Sequence, residues 1–166
     1  MLLEKIRITV RPEKIDRFSE RQFRFYVKYA SFVFKSLRRP IFQRFLNWVL
    51  FKEKIQEEKV ENIHVMIFPF QKENGKGLAG KCTSEGEIYI YPKRLKLCRK
   101  LKSKLGNERV FSYIKNRAKA ALIHELLHLK YLDHEHNVRE LTENYLKKFN
   151  HSLETQSMHC EGHVKS

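Results

Sequence analysis

The chain has 166 residues, 42 % of them hydrophobic, which suits one domain, or one domain with an appendage, around a sizeable core. No uninterrupted apolar run approaches the ~20 residues needed to cross a bilayer, which argues against a membrane-spanning protein. The formal net charge is +15 and is uneven: residues 1–60 carry 15 Lys/Arg against 7 Asp/Glu, and residues 92–119 carry 11 against the single Glu108. Such blocks favour nucleic acid or anionic surfaces as partners, or else form a solvated face, and charge alone does not choose. Cys82, Cys98 and Cys160 are odd in number, widely spaced and without a C-x-x-C pair, which argues against a disulfide framework. The first residues lack the basic and apolar regions of a signal peptide, so a soluble, cytoplasmic protein is expected.

Residues 5–10 alternate polar and apolar and predict a strand with one buried face. Pro12 suits the first turn of a helix, and Ile15, Phe18, Phe23, Tyr26, Val27, Ala30, Phe34 and Leu37 recur at spacings near three and four. Pro40 restarts the pattern, which runs to about Glu58. The many aromatics here fit core packing first, with a membrane-surface segment or a nucleic-acid platform as rivals. Residues 62–70 form a β-prone apolar run ended by Pro69. Residues 71–80 are turn-rich. Strands at about 78–83 and 87–91 flank the turn Ser84-Glu85-Gly86 and predict a hairpin. A basic helix over 93–105 carries Leu97, Leu101 and Leu105 on one stripe, and Gly106 suits its end. A helix over 108–131 follows, capped by Asn107. Another spans about 136–149, with Val138, Leu141, Tyr145, Leu146 and Phe149 facing inward. Residues 151–166 read as a flexible tail.

The chemistry concentrates at the end of the helix over 108–131. His124-Glu125-Leu126-Leu127-His128 is H-E-x-x-H, and Ala118, Ala120, Ala121, Leu122 and Ile123 before it make that helix one to be buried. One helical turn sets His124 and His128 on one face, where two neutral imidazoles can take two corners of a tetrahedral zinc site. Glu125 is offset by about 100° and can reach a water at the metal without ligating it, which is the general-base position. His134 lies six residues past His128, enough to turn and supply a third ligand. Glu140 or Glu143 is the rival for that role, with Asp133 then a turn residue or a supporting partner. Tyr131 or His136 could stabilise an oxyanion. His151, His159, Cys160 and His163 in the tail could cap the metal.

The run from His124 to His134 resembles the signature of the zincin metallopeptidases, and most closely the small prokaryotic groups whose third His stands ten residues after the first. That resemblance implies zinc held by His124, His128 and His134, with Glu125 as general base. It also implies that the hairpin over 78–91 is the edge strand beside an extended peptide substrate. The metzincin branch has a glycine where Tyr131 stands. A second resemblance is to the bacterial rRNA-maturation zinc endoribonucleases, carried by Leu127-His128-Leu129, Asp133-His134 and Glu135, by Val65–Phe70 and by Gly86–Ile90. That family has a glycine in place of Glu125. Both resemblances cover about residues 62–149.

The expected architecture is α+β and zincin-like, a small mixed sheet packed on a metal-binding H-E-x-x-H helix with N-terminal basic aromatic helices. Residues 1–60 form the strand and basic amphipathic helices, 61–150 the metal-binding domain and 151–166 the tail. The expected function is that of a zinc-dependent hydrolase, first a metallopeptidase acting on a peptide or protein. The alternatives are a zinc-dependent endoribonuclease, with nucleic acid held by 1–60 and 92–119, and a non-catalytic metal-stabilised binding module.

Overall fold

A computed structural model describes residues 1–72, 77–132 and 135–164, with side chains for all of these except 135, 136 and 156–164. In chain order the elements are β1 (Ile6–Thr9), α1 (Glu20–Leu37), α2 (Pro40–Glu53), β2 (Asn62–Met66), β3 (Phe70–Gln71), β4 (Gly77–Leu78), β5 (Gly80–Cys82), β6 (Glu87–Ile90), α3 (Leu95–Leu105), α4 (Asn107–His128) and α5 (Glu135–Val164). The class is α+β. Four strands form one mixed sheet in the order β1-β2-β6-β5. β1, β2 and β6 run parallel, and β5 pairs antiparallel with β6 at the edge. β3 and β4 form a separate antiparallel ribbon.

Local chemistry explains where the helices start and stop. The expected helix from Pro12 begins only at Glu20, because Ser19 and Gln22 close a capping box there. Pro12–Arg17 is a separate 3-10 turn. α2 starts with Pro40 at its first position and stops at Glu53, earlier than the apolar pattern suggests, because Lys54 adopts the left-handed conformation at φ 59°. Gly106, at φ 81°, ends α3 and opens α4, so the capping position expected of Asn107 is occupied by the glycine. α4 tightens after His128, where Leu129 and Lys130 donate to the carbonyls three residues back. α5 continues to Val164, past the expected end near Phe149.

The sheet register places Ile6, Ile63, Ile88 and Cys82 in one row, and Ile8, Val65, Ile90 and Gly80 in the next. Ile63, Val65, Ile88 and Ile90 are buried, and α1 and α4 pack on the sheet. Ile8 is partly exposed because β1 is an edge, so the expected buried face of that strand is only half realised. One hydrophobic core joins β1, α1 and α2 to the elements after residue 60. The N-terminal aromatics are largely packing groups: Phe18 stacks on Phe68 at 4.6 Å, and Phe42 meets Phe149 at 5.3 Å. Among the described residues no helix is long and apolar enough to cross a membrane.

Candidate metal centre

The last turn of α4 carries His124, Glu125 and His128 at the floor of a cleft of about 750 Å³. The buried neighbours Leu122, Ile123, Leu126 and Leu127 fix this end of the helix in the core. The helical period then turns both imidazoles toward one point. His124 Nε2 and His128 Nε2 stand 2.8 Å apart, with their rings crossed at 79°. Two corners of a tetrahedral zinc site would hold these nitrogens at about 3.3 Å, so a small ring rotation converts the pair into two ligands. His128 Nδ1 donates to the backbone carbonyl of Tyr131 at 3.2 Å. That tautomer leaves the His128 Nε2 lone pair facing His124 Nε2.

Glu125 lies between this pair and β5. Its side chain is only 7 % exposed, and burial pushes its carboxyl up to about 7. Gly80 explains how the strand comes so close: a Cβ there would lie 3.1 Å from Glu125 Cγ and 3.2 Å from the Tyr89 carbonyl. Cys82 lines the same cleft. Burial and the nearby Glu125 push its thiol up to about 11, which keeps it protonated at neutral pH.

The residues expected at the site divide into three groups. His124, Glu125 and His128 are brought together. His134, the expected third ligand, and Asp133 lie outside the described residues, as do the side chains of His136, His159, Cys160 and His163. The rest are placed by the structure, though not all at the cleft. Glu143 on α5 shares a second cavity with His124 and Glu125, whereas Glu140 does not line it. His151 is exposed on α5. The Tyr131 hydroxyl is already engaged, donating to Glu53 Oε2 at 2.7 Å. Among the described residues no group of three His, Cys, Asp or Glu side chains converges as a metal cluster. The two convergent imidazoles could supply two of the donors a zinc ion needs, one of them with its tautomer set.

Four residues outside the motif contribute. Gly80 reads as part of a turn-rich loop. Tyr113 and Arg117 line the cavity shared with His124. Eleven residues is three helical turns to within about 20°, so the period of α4 already puts Tyr113 on the face of His124. Glu53 has no sequence signal. It sits at the end of α2, yet accepts from Tyr131, from Lys130 at 3.2 Å and from Tyr145. Burial pushes its carboxyl up, but these three donors outweigh that and hold it below the usual carboxylate range.

No family model matches the chain, and no curated protein or solved structure matches it.

Proposed function

We propose that the protein is a zinc-dependent hydrolase of zincin type, a metallopeptidase that uses Glu125 as its general base. The observation that carries the reading is the 2.8 Å convergence of His124 Nε2 and His128 Nε2 beside a buried glutamate in an open cleft. His124, His128 and His134 would hold the zinc, which when bound would supply Lewis acidity toward a water and the scissile carbonyl. The chain's own part is proton handling. Glu125 would take a proton from the attacking water and give it to the amine nitrogen as the C–N bond breaks. Its burial against β5 keeps this carboxyl out of bulk solvent. The free thiols of Cys82 and Cys98 accord with a reducing, cytoplasmic setting.

Zinc-dependent RNA hydrolysis is the second reading. It is favoured by α3, which exposes Lys96, Arg99, Lys100, Lys102 and Lys104 along one helix. A non-catalytic metal-stabilised module is the third.

Elemental analysis of the purified chain, the His124→Ala variant and the Glu125→Gln variant tests all three. About one zinc per chain is expected in the wild type and in Glu125→Gln, with loss in His124→Ala. Peptide hydrolysis should fall by at least about a hundredfold in Glu125→Gln. Absence of zinc from the wild type, even after zinc is offered, would sink the metal site. Zinc with RNA cleavage and no peptide cleavage would select the second reading, and zinc without either activity the third.

A further inference from the structure

The ribbon strand β3 separates two clefts that share Phe70 and Gln71. One is the cleft of His124, Glu125 and His128, whose walls also carry Lys72 and Lys81. The other, of about 410 Å³, is lined by Lys14, Arg17, Gln22, Arg94 and Lys96 among others. Among the described residues none of its lining side chains is acidic. Arg11 adds a further cation beside Phe70, with its guanidinium 5.7 Å from the centre of that ring. The crowding is felt by Lys14, whose ammonium is pushed down by burial and then by Arg11 and Arg17, with Glu13 alone opposing. Several positive groups stand close together here, with Arg17 and Lys96 exposed, and such a cluster raises the local concentration of anions.

The aromatic rings around this cleft narrow the chemistry of that anion. Phe18 lies flat on Phe68, and Tyr26 meets both edge-on. Phe70 packs against Tyr91, and the Arg11 guanidinium also lies over its ring. These ring faces are used within the fold, so the cleft offers cations without the stacking platforms that single-stranded nucleic acid uses. It suits a carboxylate on a short side chain.

We propose that the cleft of Lys14, Arg17 and Lys96 binds an acidic side chain of a peptide substrate whose scissile bond lies across β3 at Glu125. This deepens the peptidase reading and rests on it: the enzyme selects substrates with Asp or Glu displaced to one side of the cleaved bond.

Fluorescence anisotropy with labelled hexaglutamate, hexaglutamine and hexauridylate tests the cleft, using the full chain bearing Glu125→Gln so that no probe is consumed. Hexaglutamate should bind roughly tenfold more tightly than hexaglutamine, and Lys14→Gln with Arg17→Gln should remove that advantage. Lys100→Gln with Lys104→Gln, an equal loss of charge on the exposed face of α3, should change binding less than about twofold. Lys96→Gln alone, at an exposed side chain, should weaken hexaglutamate in the same direction and keeps the test readable if the double variant folds poorly. Equal losses in the two double variants, or no preference between the peptides, overturns the cleft as a site. Tighter binding of hexauridylate through Lys14 and Arg17 overturns the acidic peptide as its ligand. Because binding is read without turnover, a failure of peptide hydrolysis in the unaltered chain would sink the peptidase reading and leave this measurement standing.

Discussion

At the scale of single residues, Gly80 and Glu125 act as a pair. The absence of a side chain at Gly80 lets β5 pass close over the glutamate, where an added Cβ would lie 3.1 Å from its Cγ. Gly80→Ala must push Glu125 by a few tenths of an ångström. Peptide hydrolysis is expected to fall about tenfold with little loss of zinc, since the histidines do not touch that strand position. Steady-state kinetics alongside zinc content checks it; loss of metal in parallel with activity would show that the whole floor of the cleft had moved. Lys119 is a different case, a buried ammonium far from the motif's chemistry. Burial lowers it to about 8, helped by Lys115 and Arg39, while the rings of Phe42 and Phe149 offset part of the cost. The unfolded chain holds this proton up to its ordinary value of 10.5 and the folded chain releases it near 8. The burial cost is therefore full below pH 8 and fades as pH rises from 8 towards 10.5. Lys119→Met should stabilise the protein by about 1 kcal/mol at pH 7, and denaturant titrations should show that gain shrinking by pH 9.5.

At the scale of elements, the end of α4 is held from two directions. Glu53 on α2 accepts from Tyr131 just past α4 and from Tyr145 on α5, and the Tyr131 carbonyl in turn receives His128 Nδ1. One buried carboxylate thus ties three helical segments together and, through one peptide unit, orients an imidazole. Glu53→Ala leaves two buried or half-buried hydroxyls without their acceptor and should cost about 3 kcal/mol. It should also weaken zinc binding roughly tenfold, as losses of supporting partners do. Competition with a zinc chelator at a temperature where the variant is still folded separates the two effects; unchanged affinity would mean that the Tyr131 carbonyl keeps its place unaided. Glu53 is held below the ordinary carboxylate range, so its contribution is present above the unfolded value near 4.5 and is lost as pH falls through the folded one.

At the scale of the whole molecule, zinc bound at the proposed site would couple to stability. If zinc binds the folded chain alone, a free concentration a thousandfold above Kd adds about 4 kcal/mol. Chelation should then lower Tm by roughly ten degrees in a chain of this size. Differential scanning calorimetry with and without chelator reads this directly, and His124→Ala should show no such shift. What was legible in the sequence follows the range of the interactions. The helix of His124 and His128 is legible because its period and its apolar run are local. The hairpin around Gly86 is legible because φ 84° there suits glycine, and a Cβ would lie 2.0 Å from the Lys59 carbonyl. Helix ends set by one residue, such as Lys54 in the left-handed region, are not legible, since an apolar stripe continues past them. Nor is Glu53, whose partners Lys130, Tyr131 and Tyr145 lie 77, 78 and 92 residues away. The parallel order of β1, β2 and β6 is likewise a property of the assembled sheet.

That strand order also sets a timetable. β1 is synthesised first, yet its partner is β2, with Ile6 opposite Ile63. β6 docks on β2, and the cleft strand β5 docks on β6 alone. At ribosomal rates of about 5–20 residues per second, the first strand waits roughly three to eleven seconds before any partner exists. The cleft edge is the local exception: β5 and β6 are joined by a short turn and can pair as soon as β6 is made, whereas Ile63 must find Ile88 and Ile6 must find Ile63 across far longer stretches of chain. Refolding of the isolated protein should accordingly be paced by these distant pairings, with the hairpin of the cleft edge forming before the parallel strands join.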